Sequence, residues 1–535
     1  MKYDVLIIGG GGAGLSAALE AVKENAKVLV ITENYPARSQ TSMAQGGINA
    51  ALGNISDDSV EMHIEDTLKS AAGLASKEMV TLLCEAAPET VYWLDQIGVP
   101  FSRTENRKIA QRKLGGTSGI RACYSQDYTG LKILHTLYDQ TLVNNIDMLH
   151  EHFLLELIVN QNEIGGALFY DIRNGEVIEI EAKSVILASG GYSALYHGFT
   201  TNTYQSTGDG IAAALRVGAT LTNMEFIQFH PTGLKGSGVL ISESARGAGG
   251  KLLNSKGERF VDELKPRDEV SRAIWEEIQK GEEVYLDIRH LGEAFINEHI
   301  PQERKLCLTY ANIDPVFELI PISPVAHYSM GGISVNKDLM SSINGLFAIG
   351  ECSNAKVHGA NRLGGNSLLE IITFGRKAGK NAANFTPSQQ KTENDTILKN
   401  TKHYIQQLFE NESKISFYPI RQQLGKLFYE NAGIIKEEKN LLSLLKRIDE
   451  IKSQLPDMGI FDKGKTYNTN LVERVKFENS LLIAKTLLLS ALARKESRGA
   501  HFRKEYPAPN EAFQKESVSI LDKGEIITNF QEVSS

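Results

Sequence analysis

Apolar positions change rhythm several times along this chain. Near the start, Val5 to Ile8 is an unbroken apolar run, Ala13 to Lys23 has helical spacing, and Ala26 to Thr32 is rich in β-branched residues. Short unbroken runs read as strands buried on both faces. The order therefore predicts a βαβ unit opening a doubly wound sheet. Residues 76–98 place Met79, Leu82, Leu83, Ala86, Val91 and Leu94 on one helical face. From Leu154 to Leu187 the rhythm becomes alternation, which predicts a β-meander turning at Arg173-Asn174-Gly175. Val185 to Ala188 reads as a second buried strand ending on Gly190-Gly191, and Gly345 to Ile349 as a late strand entering Gly350-Glu351.

At 535 residues the chain exceeds a single core. The pattern predicts an α/β fold with a Rossmann-like nucleotide domain, discontinuous over 1–230 and 325–388. An inserted α+β capping domain would occupy 231–324. After about 388 the chain turns Lys/Glu/Leu-rich, as in Leu441 to Ile451 and Leu481 to Leu492, and predicts a helical domain over 389–505. Residues 506–535 are polar and read as a surface tail.

Composition narrows the class. Apolar content of 42% and charged content of 23% suit a globular protein, and a net charge of −8 gives no nucleic-acid footprint. No uncharged apolar run reaches the roughly 18 residues of a membrane span. The glycines directly after Val5–Ile8 argue for a strand there, not a signal peptide. Cys84, Cys123, Cys307 and Cys352 are scattered without a Cys-x-x-Cys pair. They read as reduced thiols, unsuited to an iron–sulfur cluster.

Gly9-x-Gly11-x-x-Gly14 follows a strand and opens a helix, the context a dinucleotide fingerprint requires. Gly11 lets backbone approach a pyrophosphate. Gly12, Ala13 and the helix N-terminus offer free N–H groups and a positive dipole end. Glu33, with Thr32 beside it, stands where an acid takes ribose hydroxyls.

The next stretch, Gln40-Thr41-Ser42-Met43-Ala44-Gln45-Gly46-Gly47-Ile48-Asn49, resembles the flavin loop of succinate dehydrogenase and fumarate reductase flavoprotein subunits. Gly350-Glu351, Asn366-Ser367-Leu368 and Thr207-Gly208-Asp209-Gly210 resemble further FAD-contacting segments of that family. The resemblance implies FAD as cofactor, contacted by Gln40, Thr41, Ala44, Gly46, Gly47, Asp209, Glu351, Ser367 and Leu368 as well as the glycine turn. Most members carry, where Gln40 stands, a histidine bonded covalently to the flavin. A carboxamide cannot form that bond, so the expectation is non-covalent FAD. The family also usually has a serine–lysine pair where Thr32-Glu33 stands.

Several short segments concentrate His, Arg and Gly: 228–232, 242–247, 266–268, 327–332 and 358–367. Arginine forks and imidazoles suit a small dianion, and glycines allow close backbone approach. No His-x-x-x-His pair supports a zinc reading, and no metal is expected. In this order the segments are similar to the succinate dehydrogenase, fumarate reductase and L-aspartate oxidase superfamily over about residues 3–380, and again at Arg494 to His501. The resemblance implies that His230, Ser242, His327 and Arg362 hold substrate carboxylates. It makes Arg267 the acid or base, with Glu243 and Arg246 relaying its proton. A hydride would pass between flavin N5 and one substrate carbon.

Two members compete. A fumarate reductase or succinate dehydrogenase flavoprotein would interconvert the two C4 dicarboxylates; L-aspartate oxidase would oxidise an amino acid. Gln40, the chain length and Leu368-Leu369-Glu370 lean toward the oxidase. Leu114 leans away, because aspartate oxidases usually place a glutamate there to meet the substrate ammonium. An apolar side chain would leave that ammonium unpaired at a cost of several kcal/mol. Ala37 to Thr41, Gly98 to Glu105 and His135 to Tyr138 also read closer to the succinate/fumarate branch, which is the expectation taken forward. It carries an iron–sulfur subunit as partner. The expected location is the cytoplasm, either free or peripheral on a membrane through partner subunits.

Overall fold

A computed structural model describes residues 1–388 and 395–533. The opening unit folds as its pattern dictates. The strand Lys2–Ile8, the helix Gly12–Lys23 and the strand Val28–Ile31 form a parallel βαβ unit, with Val5 paired to Val28 and Ile8 to Ile31. All four residues of the second strand are buried, as the unbroken apolar run requires. Gly9, at φ +118°, makes the turn; a Cβ there would lie 2.2 Å from the carbonyl oxygen of Ala188.

The alternating region forms three antiparallel strands, His152–Asn160, Glu163–Asp171 and Glu176–Leu187. The separate strand expected at Val185–Ala188 is the end of the third of these. This strand is 12 residues long and pairs with three strands along its length. Its first half pairs with the meander, while Val185 and Ile186 lie parallel to Leu6 and Ile7 on one side and to Leu346 and Phe347 on the other. One strand thus joins the meander to the parallel sheet. The helix Asn366–Ala383 packs on Gly12–Lys23, where Gly379 lets the two backbones touch.

The inserted region has its own core, including Leu252, Val270, Ile274, Leu286, Ile296 and Ile322. Its sheet orders the strands Ile227–Leu234, Ile320–Ser329, Val284–Asp287 and Lys251–Asn254. The expected boundaries at 230/231 and 324/325 cut through the strands Ile227–Leu234 and Ile320–Ser329, which pair with each other at the root of this sheet. The expected boundary at 388/389 adjoins residues 389–394, which lie outside the described residues.

Beyond it, the helices Asp395–Glu410, Phe417–Asn431, Glu438–Gln454 and Thr469–Ala493 form the helical region. The expected tail is different. Glu516–Asp522 and Glu525–Gln531 form a hairpin whose first strand pairs with Leu221–Thr222. Its inward residues are polar: Glu516, Ser517 and Ser519 are buried and hydrogen-bonded to Asn354, Glu225 and Ser490. Hydropathy alone reads such a strand as surface.

Candidate active site

One cavity runs from the glycine turn to the root of the capping domain. At one end lie Gly9, Gly11, Gly12 and Ala13, then Thr32, Glu33 and Asp209. Gln40, Thr41, Ala44, Gly46, Gly47, Glu351, Ser367 and Leu368 follow, and at the far end His230, Ser242, Glu243, Arg267, His327 and Arg362. Two expected site residues do not line it. Gly14 sits behind the turn, where a Cβ would lie 2.0 Å from the Gly9 carbonyl oxygen. Arg246 is buried behind Glu243, at 3.9 Å.

The cavity walls suit a flavin dinucleotide. The helix Gly12–Lys23 starts at the cavity wall, where Gly12 N donates to Thr41 Oγ1 at 3.0 Å and the positive dipole end faces the cavity. Among the described residues, Ser39 Oγ, both amide atoms of Gln45, Ser189 Oγ and Asn202 Nδ2 line it buried and without hydrogen-bond partners. Such groups in a folded protein call for a polar ligand or water. Gln40 is held by backbone, accepting from Thr203 N at 3.0 Å. Glu33 pairs with Lys476, a fully buried residue of the helix Thr469–Ala493. Burial raises the Glu33 pKa, and Lys476 opposes that rise; Lys476 itself titrates higher than usual because the surrounding carboxylates outweigh its burial. Sequence reasoning missed Lys476, since its partner lies 443 positions away.

At the far end, charge is concentrated and ordered. Arg267 opens the helix Arg267–Gln279. It donates to Glu243 Oε2 from Nε at 2.9 Å and from Nη2 at 2.5 Å, and to Gln228 Oε1 from Nη1 at 3.1 Å. Arg362 donates to the same Gln228 oxygen at 3.1 Å and lies 4.2 Å from the centre of the Tyr328 ring. Gln228 is held in turn by donating to Asn361 Oδ1 and the Arg362 carbonyl, both at 2.8 Å. Sequence reasoning passed over it as a neighbour of His230.

The imidazoles of His230 and His327 lie 5.0 Å apart, edge to face. Desolvation, then Arg267, drives both well below the usual histidine range, so both are neutral at pH 7. Burial pulls Arg362 down to about 10, aided by Arg267. Burial would raise Glu243, yet Arg267 and Arg246 outweigh it and hold the carboxylate low. Glu243 also accepts from Gly115 N at 2.8 Å. Ser242 caps the short helix Glu243–Gly247, its hydroxyl accepting from Ser244 N. Glu351, which accepts from Ser329 N at 2.9 Å, is pushed up to about 7 by burial.

A family model described as an FAD binding domain matches residues 4–368, and one described as the fumarate reductase flavoprotein C-terminal region matches 421–534. The chain belongs to the fumarate reductase and succinate dehydrogenase flavoprotein family. The 8-methylmenaquinol:fumarate reductase flavoprotein subunit of Wolinella succinogenes is 40% identical over 97% of this chain and 88% of its own length. The succinate dehydrogenase flavoprotein subunit of Rickettsia conorii is 36% identical over 100% of this chain and 95% of its own. A solved Escherichia coli quinol fumarate reductase chain superposes with a TM-score of 0.96 at 34% identity, over 99% of this chain and 97% of that one.

Membership makes this chain an FAD-dependent oxidoreductase and favours the succinate/fumarate reading over L-aspartate oxidase. Leu114 agrees: it is buried and lines the cavity, presenting an apolar side chain where the oxidase reading calls for a carboxylate. The relatives are named as subunits. Among the described residues, no helix is long and apolar enough to cross a membrane.

Proposed function

We propose that this chain is the catalytic flavoprotein subunit of a fumarate reductase, holding FAD without a covalent bond and working with an iron–sulfur subunit. One observation carries the substrate reading. Arg267 and Arg362 converge on a single Gln228 oxygen beside two neutral imidazoles, and both guanidinium groups line the cavity. Arg267, Arg362 and Arg246 outnumber the one carboxylate, Glu243, and with the neutral donors beside them match a four-carbon dianion, which a neutral or cationic substrate would not repay.

In this reading the glycine turn takes the pyrophosphate, Thr32 and Glu33 the ribose, and the 40–47 segment with Ser367 and Leu368 the ring system. The bound flavin supplies the hydride. His230, His327, Ser242 and Arg362 hold the carboxylates and fix the diacid in one orientation, which is the larger part of what a preformed site contributes. Arg267 delivers the proton at the adjacent carbon. A guanidinium gives up a proton with difficulty. Here Glu243, bonded to two of its nitrogens, returns the proton as it leaves, with Arg246 behind. The capping domain carries Arg267, so its closure excludes water and positions the proton donor together.

Gln40 bears on direction. Without the covalent link the flavin potential falls, which favours fumarate reduction over succinate oxidation. The test is anaerobic. Succinate, but not L-aspartate, should bleach the flavin, and fumarate should restore the colour of dithionite-reduced protein faster than succinate removes it. Bleaching by L-aspartate with no response to fumarate would overturn the proposal.

A further inference from the structure

The helix Pro301–Ala311 of the capping domain has no side-chain cap of its own. Asp127, in the nucleotide-binding domain just ahead of the helix Thr129–Val143, supplies one from outside: Gln302 N donates to its Oδ2 at 2.7 Å. The next residue on the capping helix, Glu303, is fully buried and turns both carboxylate oxygens to the backbone N–H of Ser242, each at 3.2 Å. Two acids from two domains therefore meet at one buried junction, next to a residue assigned to the substrate. Among the described residues neither has a salt-bridge partner. Arg112 is near, but its N–H groups go to the carbonyls of Gly46, Gln45 and Gln126. Tyr128 and Cys307 are the other titratable groups that sense Glu303.

Two like charges in a dry junction repel, and the pair is tolerable when it holds a proton. We propose that Asp127 and Glu303 form a proton-holding latch, which keeps the capping domain closed and Ser242 in place only while Glu303 holds a proton. Burial, then Asp127, pushes Glu303 up to about 8, and burial also raises Asp127. Opening separates the acids and returns Glu303 to water, where a glutamate titrates near about 4.3. Closure thus takes up a proton between those two values. The closed form is fully favoured below the lower one, weakens by up to about tenfold per pH unit between them, and levels off above the upper.

The latch rests on the fumarate reading only for what closure serves, so its test uses a readout separate from turnover. Hydrogen exchange of the FAD-loaded protein is followed at residues 301–311 and 242–247 from pH 6 to 9, as protection relative to each amide's intrinsic rate. Protection should fall several-fold from pH 6 to 8 and then flatten. Glu303→Gln, which keeps the size and acceptor of the protonated acid, should abolish the slope, as should Asp127→Asn. The slope of KM for fumarate over the same range should become shallower in both variants. An unchanged exchange slope in either variant overturns the latch. Loss of that slope in proteins that turn over neither fumarate nor succinate upholds the latch and overturns the substrate reading alone.

Discussion

Arg267 places two of its guanidinium nitrogens on one oxygen of Glu243, Oε2, while Glu243 spends its other oxygen on the Gly115 amide. The geometry commits Oε2 to Arg267, with Arg246 Nη2 3.9 Å from Oε1 on the far side. Arg267→Lys keeps a charge but cannot form the fork. It should lower kcat for fumarate by about 10² to 10⁴ with a much smaller change in KM, as loss of a proton-transfer group does. Steady-state assays with a reduced dye separate the two; a KM effect that dominates would move Arg267 to the binding set.

Gln228 is the meeting point of both arginines, and it is fully buried. Gln228→Leu strands donors of two guanidinium groups, at about 1 to 3 kcal/mol for a buried unsatisfied group. The expected result is a kcat/KM reduced by roughly 10- to 100-fold, shared between KM and kcat because Arg362 and Arg267 are both released. Binding of the inhibitor malonate, by flavin difference spectra, should weaken in parallel.

Lys476 has no solvent exposure and faces the carboxylates of Glu33 and Asp209. Lys476→Met leaves buried acids without their cation, a change that costs about 3 to 5 kcal/mol elsewhere. FAD affinity, measured by the recovery of flavin fluorescence on dilution, should drop by at least tenfold and Tm should fall. The double variant with Glu33→Gln should recover part of the loss in Tm. If the single variant retains FAD at wild-type strength, the pair has no part in holding the cofactor.

Acid precipitation should release all FAD to the supernatant, since Gln40 offers no nucleophile at the ring. Gln40→His removes the acceptor that holds Thr203 N. It should yield a fraction of chains whose flavin fluorescence survives a denaturing gel. Flavin fluorescence on the wild-type denatured band would refute the non-covalent reading.

Local signals made the nucleotide half of the fold legible. A buried β-branched run, a glycine turn and a helical stripe each lie within about ten residues, and their pairing follows the handedness rules of βαβ units. The residues proposed as proton carriers and carboxylate ligands came from the family resemblance, and the structure gathers all but Arg246 along one cavity. What stayed hidden depends on distant partners. Nothing near Lys476 announces Glu33, and Gln228 looks like any polar residue in a strand until Arg267 and Arg362 arrive. The hairpin Glu516–Gln531 was misread because its inward face buries Glu516, Ser517 and Ser519, which hydrogen-bond to Asn354, Glu225 and Ser490 in place of apolar contact.

The ion pair between Glu33 and Lys476 also orders events during synthesis. A ribosome that has released the glycine turn has made only the first part of the cavity wall; Arg362 and Ser367 come much later, and the cation beneath the ribose position comes near the end. In the proposed reading, flavin capture waits until Lys476 has followed Glu33 by 443 positions, so apoprotein precedes holoprotein.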